Sequence, residues 1–227
     1  MDNFELKAII LDFDGTVCQI FKNYNTKNCV LEMQRFMKYY NIEIPSQFDF
    51  FDIFDIISKQ NKLSCGEKED LYIKADKILT KFELEAIDSS EIVNGFNEVI
   101  YSFINYGYLI GLATNNSAKC VYKFFEKNLD SLELPVIGRI SNHPELLKPN
   151  NWSLMEVLKI MKVDISNSIL VGDSLRDYEC AVKSNCKFIG MAPTEKKLKR
   201  LQTISPKVEI AKDFYELKHL ISEINKL

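Results

Sequence analysis

Histidine is scarce in this chain. Two of its 227 residues are histidine, His143 and His219, and they lie far apart, which argues against a metal site built on several imidazoles. The six cysteines (Cys18, Cys29, Cys65, Cys120, Cys180 and Cys186) contain no Cys-x-x-Cys pair, so free thiols are expected. A strong charge of one sign is also missing. The formal net charge is -3, which disfavours a general nucleic-acid binder. The longest basic cluster, Lys196-Lys197-Leu198-Lys199-Arg200, reads as the solvated side of a helix. No apolar run is long enough for a membrane span, and Met1 to Glu5 lack the basic start of a secretory leader. The expectation is a cytoplasmic protein that engages neither nucleic acid nor membrane. Internal repeats and low-complexity linkers are absent too.

What is present is ordinary for a globular protein: 46% apolar and 27% charged residues. The length fits a core domain with a smaller insert. Residues 6–11 are an apolar run that predicts a buried strand. Residues 17–91 then read mainly as helices, with apolar spacing over 28–40 and 67–82 and a turn near 61–66. The aromatic-rich piece at 48–57 is expected to be the core of a small helical unit rather than a ligand box. From residue 92 onward, strands alternate with helices. Strands are predicted over 108–113, 136–140, 168–171 and 187–191. Helices are predicted around 96–104, 117–128, 154–161, from 175 to near Asn185, and around 214–224. Gly107 and Asn185 suit left-handed helix ends. The fold class is therefore α/β: a Rossmann-like parallel sheet with helices on both faces, and a helical cap inserted after the first strand. The boundaries are 1–16 and 92–227 for the core and 17–91 for the cap.

Reactive polar groups gather at predicted strand ends, where sheets of this type bind ligands. The first strand runs into Asp12-Phe13-Asp14-Gly15-Thr16. Side chains two apart on a strand point the same way, so both carboxylates project together, and Gly15 permits a sharp turn. Two crowded anions call for a compensating cation or reacting group. The second strand ends at Thr114-Asn115-Asn116. The third ends at Gly172-Asp173, with Asp177 four residues on, and Lys148 precedes Pro149 in a loop before a helix. Each residue has a plainer reading: Thr114 as a helix cap, Asn115 and Asp173 as turn formers, Asp177 as a first-turn charge, and Lys148 as a surface lysine.

LDFDGT, ATN, LKP and VGDSLRD occur in that order. On these four motifs the chain resembles the haloacid dehalogenase-like hydrolases, of the phosphoglycolate phosphatase-like kind with an inserted helical cap. The resemblance spans residues 6–16 and about 92–191. It implies a Mg2+-dependent phosphatase acting on a small phosphorylated metabolite. Asp12 is then the nucleophile, Asp14 the acid and base, and Lys148 a fixed charge beside the phosphate. The implied Mg2+ ligands are Asp12, the backbone carbonyl of Asp14, and Asp173, with Asp177 behind them. Thr114 and Asn115 would contact substrate. A phosphosugar mutase and a catalytically silent binding protein on the same fold remain alternatives. Lys22, Tyr24, Arg35 and Lys62 are candidates for contacts at the mouth.

Overall fold

The computed structural model describes residues 5–45, 48–129, 132–205 and 207–224. Its centre is a six-stranded, all-parallel sheet. The strands are β1 (Ala8–Leu11), β4 (Leu109–Ala113), β5 (Val136–Ile137), β6 (Ser168–Gly172), β7 (Lys187–Met191) and β8 (Glu209–Ala211), ordered β5-β4-β1-β6-β7-β8. The chain builds outward from β1 to one edge through β4 and β5. It then returns to the other side of β1 for β6, β7 and β8. The strand order therefore reverses around β1, the place where a doubly wound sheet leaves a crevice.

β1 shows why the sheet is covered on both faces. Ile9 and Leu11 point into one apolar cluster with Phe96, Phe103, Phe124 and Phe214, which come from α4 (Phe96–Asn105), α5 (Ala118–Asn128) and α9 (Phe214–Ile224). Ala8 and Ile10 point the opposite way, onto Leu154, Val157, Cys180 and Ala181 of α6 (Trp152–Met161) and α7 (Leu175–Lys183). An apolar side chain at every position is what a strand buried on both faces requires. Asn185 has a φ of 55° just past α7, and Gly107 one of 87° past α4, so both chain reversals use residues that tolerate the left-handed region.

Between β1 and α4 lie α1 (Lys27–Tyr39), α2 (Asp52–Ser58) and α3 (Cys65–Ala86). They close around their own cluster, which includes Met33, Met37, Ile53, Phe54, Ile57, Leu71 and Leu79. α3 starts at a reciprocal cap: Ser64 accepts from the Glu67 N–H, and the Glu67 carboxylate accepts from the Ser64 N–H at 2.8 Å. Two short strands that periodicity did not predict, β2 (Cys18–Gln19) and β3 (Glu91–Ile92), pair antiparallel where the chain leaves and re-enters the sheet region. Two residues are too few to show an alternating pattern. β8 was also unpredicted, and α8 (Glu195–Ile204) separates it from β7. β5 is shorter than the predicted 136–140. The six cysteines are free. Among the described residues, no helix is long and apolar enough to cross a membrane.

Candidate active site

Three adjacent strands, β4, β1 and β6, end at one cavity of about 270 Å³. Asp12 continues the line of β1, its N–H donating to the Val171 carbonyl at 2.8 Å. The Phe13 ring turns the other way and packs edge-on against Phe124, with centroids 5.3 Å apart. Alternation thus sends Phe13 into the core and leaves Asp12 and Asp14 to the cavity. At Gly15 the φ is +94°, and a Cβ there would lie 2.5 Å from Asp173 Oδ2. Glycine lets the ends of β1 and β6 approach this closely.

Lys148, in the loop before α6, is 2% exposed. Its Nζ donates to Asp12 Oδ1 at 2.6 Å, to Asp177 Oδ1 at 2.5 Å and to the Ala113 carbonyl at 2.8 Å. These contacts use all three ammonium donors. Burial alone would lower its proton affinity, but the Asp12 and Asp177 carboxylates outweigh burial and hold the ammonium charged. Asn115 fixes the same loop from β4. Its Oδ1 accepts from the Lys148 N–H at 2.8 Å, and its Nδ2 donates to the Lys148 carbonyl at 3.1 Å. Asn115 lines the cavity, yet its amide is engaged in placing Lys148.

Asp177 also does two things. One oxygen holds Lys148; the other accepts from the Ser174 N–H at 3.1 Å and from the Ser174 hydroxyl, closing a capping box on α7. The plainer reading of Asp177 as a first-turn charge is therefore also true. Thr114 is off the cavity wall: its hydroxyl donates to Asn116 Oδ1 at 3.0 Å and accepts from the Asn116 N–H at 3.2 Å.

The carboxylates are crowded. Ligand oxygens of Asp12, Asp173 and Asp177 lie within 4.8 Å of one another. Burial pushes the Asp12 carboxyl up to about 7, with Lys148 opposing and Asp177 and Asp173 adding to the rise. Burial likewise lifts Asp14 to about 6 and Asp173 to about 6, with Lys197 opposing in both cases. The Lys197 ammonium pairs with Asp173 Oδ2, standing where a cation relieves this repulsion. Hard oxygen donors with excess negative charge fit a divalent cation such as Mg2+. Asp12 and Asp173 are the carboxylates best suited to ligate it, because both oxygens of Asp177 are already committed.

Several residues at the site were not anticipated. Lys197 and Arg200 line the cavity, which corrects the reading of their cluster as wholly solvated. The available signal was that Lys197 precedes the buried Leu201 by one helical turn. Glu83, on α3, is fully buried. It accepts from Asn116 Nδ2 at 3.0 Å, from the Ser117 N–H at 3.1 Å, and from Arg139 at 3.0 and 3.2 Å. Arg139 also donates to Asp76 at 2.6 Å, to Thr80 at 2.9 Å and to the Asn115 carbonyl at 2.8 Å. The loop after β4 is thus held from the inserted helices. Nothing in the spacing of Glu83 and Arg139 announced this.

The aromatic piece divides. Ile53, Phe54 and Ile57 are core, whereas the half-buried Phe48, Phe50 and Phe51 line the cavity. Lys22, Tyr24, Arg35 and Lys62 do not line it. Lys22 instead pairs with Glu91 at 2.6 Å, and the Tyr24 hydroxyl donates to Glu85 at 2.6 Å.

A family model for haloacid dehalogenase-like hydrolases matches residues 9–191. The chain belongs to that family. No curated protein matches the sequence. Among solved structures, a predicted phosphatase from Clostridium acetobutylicum is 15% identical with a TM-score of 0.71, covering 96% of this chain and 99% of that one. A hydrolase from Pseudomonas syringae is 16% identical with a TM-score of 0.68, covering 96% and 99%. A candidate phosphoglycolate phosphatase from Lactobacillus plantarum is 15% identical with a TM-score of 0.67, covering 95% and 99%. At these identities the likeness is one of fold. It extends through residues 17–91 as well as the sheet, because nearly all of each chain is covered.

Proposed function

We propose that this hydrolase is a Mg2+-dependent phosphatase that cleaves a small phosphorylated metabolite through a phosphoryl group held on Asp12. The observation that carries the reading is the cavity floor: Asp12 Oδ1 lies 2.6 Å from the Lys148 ammonium, and Asp14 and Asp173 share the same cavity. A carboxylate nucleophile beside a fixed cation suits in-line phosphoryl transfer.

An Asp12 oxygen attacks phosphorus, and the bond to the ester oxygen breaks. Asp14 gives that oxygen a proton. Its Oδ1 accepts from the Ile20 N–H at 2.8 Å, which orients the carboxyl and leaves Oδ2 for the transfer. A carboxyl raised to about 6 is a usable proton donor near neutral pH. Asp14 then takes a proton from the water that attacks the phosphoryl group, releasing inorganic phosphate and free Asp12. Lys148 keeps its charge against the reacting oxygens throughout. Asp12, Asp173 and the Asp14 carbonyl would hold Mg2+, which supplies positive charge that keeps Asp12 ionised and neutralises the phosphate. Asn115 acts by holding Lys148. The helices of residues 17–91 serve as a cap that excludes bulk water. Arg176, which lines the cavity from α7, pairs with Asp52 of α2 at 2.6 Å, a contact that suits a closed cap.

A mutase would need a second cationic site on the cap side to hold a bisphosphate. Among the described residues, the lining drawn from residues 17–91 has no lysine or arginine, which favours the phosphatase. The net charge of -3 likewise favours a small metabolite over nucleic acid or an anionic membrane. The test is phosphate release from a panel of phosphorylated metabolites, with Mg2+ and with EDTA, for wild type beside Asp12→Asn. Mg2+-dependent release that the variant lacks is expected. Release that survives Asp12→Asn or EDTA overturns the reading.

A further inference from the structure

The cavity has two unlike halves. Its floor is ionic, built from Asp12, Asp14, Lys148 and Asp173. The opposite wall, contributed by residues 17–91, is Phe21, Phe48, Phe50, Phe51 and Leu79, with Asp49 as its polar member. Phe50 sits at the centre of this wall, its ring centroid 5.4 Å from Phe21 and 5.9 Å from Phe48. All three rings remain half-buried, Phe21 packed against the main core and Phe48 and Phe50 against the inserted helices, and all three line the cavity. Phe51 differs: the Arg139 guanidinium lies over its ring at 5.9 Å.

We propose that the phosphate ester taken here carries a flat aromatic ring close to its phosphate, held by Phe21, Phe48 and Phe50. The proposal rests on the phosphatase reading above and names the substrate class of that same site. Phosphate belongs on the floor, because the cations and the nucleophile are there. The organic half must then face the phenyl wall. Rings meet rings offset or edge-on with a gain beyond area burial, and the angled rings of the wall present both edges and faces. A polyhydroxylated sugar would leave hydroxyls without partners against phenyl groups, and unpaired buried polar groups are costly. The Asp49 carboxylate, one oxygen of which accepts from the Phe51 N–H at 2.9 Å, is a single acceptor group and cannot partner the several hydroxyls of a sugar. A second acid group on the substrate would meet Asp49 and no cation on that wall. At about 270 Å³ the cavity lies just below the usual range of ligand pockets, which begins at roughly 300 Å³. It therefore suits one ring and one phosphate. Phosphoglycolate is the opposing case, because its carboxylate would have to turn away from the phenyl wall to Arg176 or Arg200, which line the cavity from α7 and α8.

The experiment uses the Mg2+-loaded protein and two matched pairs of probes. Benzylphosphonate and methylphosphonate are titrated calorimetrically, which reads binding without turnover. Benzyl and methyl phosphate, whose alcohols are similar leaving groups, are compared in kcat/KM beside phosphoglycolate and glycerol phosphate. The expected result is an affinity ratio of about tenfold or more for benzylphosphonate over methylphosphonate. Phe50→Ala and the volume-sparing Phe50→Leu should both bring that ratio toward one. The same preference should appear in kcat/KM, with benzyl phosphate above phosphoglycolate and glycerol phosphate. Equal binding of the two phosphonates, a ratio untouched by both Phe50 variants, or a preference for phosphoglycolate overturns the proposal. Benzylphosphonate selectivity without turnover of any ester sustains the aromatic subsite and removes the phosphatase reading. Turnover of all four esters at similar kcat/KM does the reverse.

Discussion

Truncating Glu83 to alanine tests the link between the inserted helices and the cavity floor. The side chains of Glu83 and Arg139 are both 0% exposed, and Asp76, the second carboxylate on Arg139, is 18% exposed. Removing Glu83 therefore does not strand Arg139, which keeps Asp76 at 2.6 Å and the Asn115 carbonyl at 2.8 Å. The loss falls on Asn116 Nδ2 and the Ser117 N–H, which both donate to Glu83, and on two N–H groups of Arg139, whose other acceptors remain. A buried donor left unsatisfied costs about 1–3 kcal/mol, so the Asn116 and Ser117 donors alone should cost about 3 kcal/mol. For a chain of this length that is a fall in Tm of about 6–12 °C. Arg139→Met should cost more, about 3–5 kcal/mol, because it leaves Glu83 and Asp76 as two carboxylates without their cation. Urea denaturation with linear extrapolation reads both, and the double variant completes a cycle. The double variant should lose less than the sum of the singles. Activity should fall as well, by about tenfold or more, because Asn115 sits in the loop that Glu83 steadies and itself holds Lys148. A cost under about 1 kcal/mol for Glu83→Ala would place the pair with exposed ion pairs and refute the argument. So would additivity of the two singles.

Other expectations follow from the same geometry. Lys148→Ala should lower kcat by about two to four orders of magnitude, read in steady-state phosphate release; a change under about threefold would remove it from the reaction. Gly15→Ala should nearly abolish activity, since φ is +94° and the new Cβ would press on Asp173, and unimpaired turnover would contradict the assigned closeness of β1 and β6. Lys197→Met should lower the Mg2+ concentration for half-activation severalfold, because the ammonium competes for Asp173. An unchanged or raised midpoint would show that Lys197 does not occupy that carboxylate in solution.

What the sequence determined was local. The apolar run of β1 needs burial on both faces, and the two-residue period aims Asp12 and Asp14 together. Alternating strands and helices select a parallel sheet, whose carboxyl edge collects LDFDGT, ATN and VGDSLRD. Asn185 and Gly107 marked helix ends because few residues accept a positive φ. The residues that gather by folding were not legible. Glu83 meets Arg139 across 56 positions, and Lys148 meets Asp12 across 136; neither pairing leaves a periodic trace. The LKP motif singles out Lys148, whereas its contacts are invisible in the sequence. Phe48, Phe50 and Phe54 look alike in sequence, yet Phe54 is core and the other two line the cavity. Hydrophobicity alone does not say whether a ring packs against its own helices or faces a crevice that another part of the chain completes. Composition and period act within one element, whereas a site's shape and charge balance depend on which elements meet, and that is decided only when the sheet closes and the helices settle over it.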